Sequence, residues 1–204
     1  SIFQTDSDTE VISHLMARRN NLPIEQSLRS ALREVGGAYA LVVLTTDKLI
    51  AVQDPRGFRP LSLGKLGKSW MIASETCAFD AVGGKFVRDV KSGEMIIIDK
   101  NELKSISYAA PLPKRICSFE YIYFSRPDSD VDGINVHLSR KKLGRQLWHE
   151  SHTDADIVIG VPDSGISAAI GYAEASGIPY EVGMIKNRYC LLYTSPSPRD
   201  RQKS

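Results

Sequence analysis

Cysteine is scarce in this 204-residue sequence: Cys77, Cys117 and Cys190, odd in number and widely spaced. That excludes a disulfide-stapled secreted fold and makes a reducing cytoplasmic compartment the expected setting. Long apolar runs are missing as well. No stretch approaches the ~20 residues that cross a bilayer, and no charged-then-apolar leader opens the chain, so no membrane association is expected. A large excess of one charge is absent: 26 Lys and Arg face 24 Asp and Glu, a formal net charge of +2. Such a balance gives no reason to expect a nucleic-acid partner. The four histidines show no metal-ligand spacing; His149 and His152 lie three apart with no carboxylate or cysteine motif beside them. The chain opens SIFQTDSDTE, without methionine, so its natural N-terminus is expected upstream. What is present, 42% hydrophobic and 25% charged residues, suits a globular protein of one large domain or two small ones.

The pattern changes character along the chain. Residues 5–35 read as two helices: Ser7 and Glu10 have capping-box spacing before Val11, Ile12, Leu15 and Met16, and Ile24, Leu28, Leu32 and Val35 then repeat at helical spacing. From Gly36 short strands follow, AYALVVLT, KLIAVQD, PLSLGKL, SWMIASE, KFVRDV and EMIIIDK, ending near LKSISY. Helices with a largely antiparallel sheet imply an α+β or layered αββα arrangement. AAPLPKR, residues 109–115, reads as a linker. Beyond it the rhythm is α/β. FEYIYF reads as a strand, 136–151 as a helix with Val136, Leu143 and Leu147 on one face, and DIVIGV as a strand buried in a parallel sheet. ISAAIGYAEAS reads as a helix and YEVGMI as a strand. Residues 190–204, CLLYTSPSPRDRQKS, abandon this rhythm and read as a non-native tail, with a disordered natural tail as the alternative.

Chemistry concentrates where DIVIGV stops at Pro-Asp-Ser-Gly and a helix opens at once. Backbone N–H groups and the positive end of a helix dipole then converge on one spot, which suits a phosphate or pyrophosphate. Asp163 or Ser164 can cap the helix, Gly165 lets a ligand approach the backbone, and the Ser164 hydroxyl is available to a hard cation. An ordinary βα turn with a good cap is the alternative. Arg56, Gly57 and Arg59, in DPRGFRPLSLG, read as an architectural turn, and Cys77 as a buried inert thiol at a helix start.

Three blocks occur in order: ICSFEYIYFSRPDSDVDGINVHLSRKKLGRQL, GVPDSGISAAIGYAEASGIPYE and IKNRY. Together with SDTEV, GGAYALVVL, DPRGFRPLSLG and ASETCAFD upstream, they resemble the glutamine phosphoribosylpyrophosphate amidotransferase family across residues 1–189. SDTEV and ALVVL also fit other N-terminal-nucleophile glutaminases; GFRPLSLG and CSFEYIYFSRPDS are more specific.

The resemblance implies that residues 1–108 are the later part of a glutaminase domain and 116–189 the start of a parallel-sheet phosphoribosyltransferase domain. Such an enzyme hydrolyses glutamine with an N-terminal cysteine and uses the ammonia to displace pyrophosphate from phosphoribosylpyrophosphate, opening de novo purine synthesis. It implies further that Asp8 binds the α-amino group of glutamine, although an acid in a first helical turn is favourable regardless. Ser164 would be a Mg²⁺ ligand, with Asp163 and Gly165 in the pyrophosphate loop. Lys186 and Arg188 would begin the loop that closes over substrate, unless they form a merely solvated face. Cys117 would match a ligand of the 4Fe–4S cluster in one branch, a group needing about four thiolates, which this chain cannot supply, so the cluster is expected of the full-length parent. Homo-oligomers are implied for the intact protein. The N-terminal cysteine nucleophile is absent, so no catalytic residue is assigned, and the chain alone is expected to catalyse neither half-reaction. Two alternatives stand beside this: a non-catalytic phosphoribosylpyrophosphate-binding regulator, and a glutaminase-linked sugar-phosphate aminotransferase.

Overall fold

Period-two alternation with both faces apolar shapes the first half of the computed structural model, which describes residues 3–5, 7–100 and 102–186. The tail assigned to 190–204 lies outside the described residues, as does Arg188. The chain divides into two compact units between Val136 and His137.

In the first unit, α1 (Glu10–Ala17) and α2 (Ile24–Leu32) precede strands β1 (Ala40–Leu44), β2 (Lys48–Gln53), β3 (Ser62–Leu66) and β4 (Ser69–Ala73). A short α3 (Cys77–Ala81) leads to β5 (Lys85–Asp89), β6 (Glu94–Asp99) and β7 (Glu102–Ser107). Two antiparallel sheets result, ordered β1-β2-β6-β7 and β4-β3-β5. Ile50, Val52, Met95 and Ile97 cluster with Ile12, Leu28 and Leu32 of the helices. Their neighbours Ala51, Ile96 and Ile98 cluster with Leu61, Leu63 and Val90. Successive side chains of β2 and β6 thus serve opposite cores, which is why those strands read as unbroken apolar runs. Each fully buried Ile or Leu contributes about 1.5–3 kcal/mol of transfer free energy.

Several expectations need correction here. Glu10 does not close a capping box on Ser7; its carboxylate reaches back to the amides of Gln4 (2.8 Å) and Thr5 (2.9 Å). FEYIYF is not a strand but a π-helical turn, Glu120–Phe124. No strand pairs with it among the described residues, and the turn is tied by the Ser125 amide to the Glu120 carbonyl (3.3 Å). Glu120 is buried by this, while Ile122, Tyr123 and Phe124 stay exposed. Segment 109–115 is strapped down: the amides of Leu112 and Arg115 donate to the carbonyls of Pro55 and Arg56 at 2.8 and 2.9 Å. A small hairpin, β8 (Asp130–Val131) with β9 (Ile134–Asn135), ends the unit.

The second unit contains α4 (Val136–Glu150, entering from the first), β10 (Val158–Ile159), α5 (Ile166–Ser176) and β11 (Tyr180–Glu181). β10 and β11 pair in parallel, Val158 with Tyr180 and Ile159 with Glu181. Both are shorter than their apolar runs, and Ile157, Ile159 and Val161 are exposed, because this sheet has two strands among the described residues. Leu143 and Leu147 are likewise exposed, so of the expected apolar face of α4 Val136 alone is buried. α4 crosses α5 with backbones nearly touching. A Cβ on Gly144 would stand 1.9 Å from the Ala168 carbonyl oxygen, and one on Gly171 2.1 Å from that of Lys141.

Candidate functional site

The parallel pairing of β10 and β11 puts the segments that follow them side by side. After Ile159 the chain turns through 160–165 and enters α5 with Gly165 as its N-cap. A Cβ on Gly165 would meet the Val161 carbonyl oxygen at 2.8 Å, and the Gly165 amide donates to that same oxygen at 3.0 Å. The turn is therefore tight, and it requires a residue without a side chain at that point. The Pro162–Asp163 peptide bond is cis.

Neither Asp163 nor Ser164 caps α5 with its side chain, contrary to the capping expected from sequence. Among the described residues the amides of Asp163 and Ser164 have no hydrogen-bond acceptor, and the Ser164 hydroxyl has no partner. Unpaired amides beside the positive end of an eleven-residue helix favour negative charge. The Asp163 carboxylate instead meets Lys186, Oδ2 to Nζ 3.3 Å. Four of the sequence-assigned residues, Asp163, Ser164, Gly165 and Lys186, thus share one loop cluster. Arg188 lies outside the described residues.

Asp8 lies in the other unit, exposed at the start of α1, where its Oδ1 accepts a bond from the Thr9 hydroxyl at 3.3 Å. Cys117 is half-buried, its amide donating to the Phe58 carbonyl at 3.0 Å. Cys77 opens α3 as expected, buried and beside Glu75 (3.7 Å), and burial pushes its thiol pKa up. Among the described residues no group of three or more His, Cys, Asp or Glu side chains is placed to hold a metal ion. The DPRGFRP turn is architectural, also as expected. Buried Asp54 accepts the amides of Arg56 (2.8 Å) and Phe58 (3.0 Å), and Arg59 pairs with Glu120 at 2.7 Å with its guanidinium 4.6 Å from the Phe124 ring.

Three carboxylates escaped the sequence reading. Glu94, 5% exposed, accepts bonds from Arg88 (2.6 and 2.8 Å), the Lys91 amide (2.7 Å) and the Ser105 hydroxyl (2.6 Å). Burial pushes its pKa up, but these donors more than reverse that and hold it below its ordinary value. Glu75 takes the Arg126 amide (2.8 Å) and the Ser129 hydroxyl (2.7 Å), and Glu120 takes Arg59 and Ser125. A charged residue heading the apolar run EMIIID was a usable signal for Glu94; Arg126 and Ser129, 51 and 54 residues from Glu75, and Arg59, 61 from Glu120, left none for those two.

Residues 1–81 match a glutamine amidotransferase domain family. Over all 204 residues the chain is 54% identical to an amidophosphoribosyltransferase of Bacillus subtilis, spanning 43% of that protein. It is 48% identical over 194 residues to one of Rhizobium etli, spanning 39% of it. Among solved structures, a glutamine phosphoribosylpyrophosphate amidotransferase from B. subtilis complexed with ADP and GMP superposes on all of this chain and 45% of its own, with a TM-score of 0.89 and 52% identity. The chain therefore spans less than half the length of these relatives.

Proposed function

We propose that this chain is part of an amidophosphoribosyltransferase, an enzyme making 5-phosphoribosylamine from phosphoribosylpyrophosphate and glutamine, the first committed chemistry of purine synthesis; its similarity to such enzymes supports this. The observation that carries this is the 54% identity over an alignment that spans all 204 residues of the chain. The division of labour follows the sequence reading. Residues 1–108 supply the later part of a glutaminase of the N-terminal-nucleophile type. In its support, α1 and α2 cover one face of the first sheet, the second sheet meets the other, and Phe79 of α3 lies against Gly64 of β3, an αββα succession. Residues 116–189 supply the start of the phosphoribosyltransferase domain. Segment 109–115 serves as a strap rather than a free linker.

At the transferase loop the Asp163 and Ser164 amides and the α5 N-terminus receive the pyrophosphate of phosphoribosylpyrophosphate, and Lys186 adds a positive charge. The loop stabilises the diphosphate as it departs, when its negative charge grows. Asp8 binds the α-amino group of glutamine on the glutaminase side. The donor chemistry fits Mg²⁺: the Ser164 hydroxyl is a hard oxygen, and Mg²⁺ takes few protein ligands alongside phosphate oxygens and water. Bound there, it would neutralise diphosphate charge. A 4Fe–4S cluster takes about four thiolates, more than this chain supplies with Cys77 buried against Glu75, so a cluster held in part by Cys117 belongs to the intact protein. The free thiols agree with a reducing, cytoplasmic setting, and the intact protein would act as a homo-oligomer.

The test is a chimera: residues 1–186 replace the matching segment of the B. subtilis relative, and glutamate and pyrophosphate release are measured together. Both products are expected, with Ser164→Ala lowering pyrophosphate release more than glutamate release. A folded chimera that releases neither product refutes the assignment.

A further inference from the structure

We infer that Asp163 acts as an internal counter-ion that holds Lys186 away from the anion, and not as a group that binds the anion itself; this rests on the pyrophosphate reading of the loop. Three observations point the same way. Asp163 Oδ2 stands 3.3 Å from Lys186 Nζ, while its side chain caps no amide of α5. The loop's anion-attracting groups, the amides of Asp163 and Ser164, carry no acceptor among the described residues. Finally, the pair is open to water, its side chains 61% and 48% exposed for Lys186 and Asp163, so it can exchange partners without a buried charge being stranded.

The consequence is a competition. In the free loop the Lys186 ammonium is neutralised by a single carboxylate. A diphosphate carries more charge and offers it more oxygens, so the ammonium transfers to the ligand. Asp163 is then left unpaired beside an anion, which disfavours any ligand too weakly charged to outbid it. The ion pair is thus a threshold: it suppresses capture of single-charge anions and keeps segment 182–186 beside 160–165 until a diphosphate arrives. Because exposed pairs contribute about 0.2–1 kcal/mol, the effect on affinity is about 1.4- to five-fold.

The experiment uses the 204-residue chain, with inorganic pyrophosphate as probe in metal-free buffer. Titration calorimetry compares wild type, Asp163→Asn, Lys186→Met and the double variant, whose substitutions are all exposed. Asp163→Asn is expected to tighten pyrophosphate binding about 1.4- to five-fold, and this gain should shrink in the Lys186→Met background. Weaker binding by Asp163→Asn, or an equal gain in both backgrounds, overturns the inference. A second readout needs no ligand: trypsin cleavage after Lys186, followed by mass spectrometry, is expected to be faster in Asp163→Asn than in wild type, and equal rates refute the pairing. Pyrophosphate that binds none of the four proteins defeats the loop's functional reading, while the trypsin rates still decide whether the pair exists.

Discussion

Truncating Glu94 to alanine strands four donors at once. Both terminal nitrogens of Arg88, the Lys91 amide and the Ser105 hydroxyl converge on this carboxylate at 2.6–2.8 Å. Removing one member of a buried pair costs about 3–5 kcal/mol, because the other charge stays desolvated. The Arg88 side chain keeps 32% of its exposure, so water recovers part of that loss and the lower end, about 3 kcal/mol, applies. With a urea slope of about 2 kcal/mol per molar, the midpoint falls by about 1.5 M. Trp70 on β4 lies in the same unit, so its fluorescence reports the transition. Replacing both partners by apolar residues, Arg88→Met with Glu94→Leu, should restore the part of the loss due to the stranded guanidinium, while the Lys91 amide and Ser105 hydroxyl stay without this acceptor. The pH dependence has a definite sign. Glu94 titrates below its ordinary 4.5 in the folded state. Its contribution is therefore complete above that value and drains away as pH falls through the folded pKa, so wild type and Glu94→Ala should converge in acid. A Glu94→Ala midpoint within about 0.3 M of wild type at neutral pH refutes the stranded-donor argument.

Two further outcomes are expected. Gly144→Ala pushes a methyl carbon to within 1.9 Å of the Ala168 carbonyl oxygen. Backbone gives way less easily than a side chain, so the loss should reach the upper part of the about 1–3 kcal/mol overpacking range, read by thermal unfolding through Trp148; an unchanged midpoint contradicts the close crossing. Glu10 is held down to a pKa of about 2, first by the Gln4 amide, then by the Thr5 hydroxyl, burial opposing weakly. Its tie to the residues before α1 should persist on acidification from pH 4.5 and break only near pH 2; carboxyl chemical shifts titrating near 4.5 contradict this.

Local periodicity made most of the elements readable before any coordinates. ISAAIGYAEAS is α5 residue for residue, and IAV and MIII mark β2 and β6 because both faces of these central strands are buried, while LVV marks the edge strand β1, whose Val42 stays exposed. The same rule failed at FEYIYF, where an apolar run carries no period and Glu120 inside it is claimed by Arg59 from sixty-one residues away. DIVIGV and YEVGMI were legible as strands, but the extent of pairing was not: each contributes two paired residues.

Order in the chain determined by itself the helical and strand periods and the turn between β10 and α5. Tertiary structure alone decided which charges meet: Arg88 with Glu94, Arg59 with Glu120, and Lys186 with Asp163 rather than with solvent. The physical reason is range. Helix and strand periods arise from neighbours a few residues apart, whereas an ion pair forms between whichever side chains the folded backbone brings within a few ångströms, at any separation along the sequence.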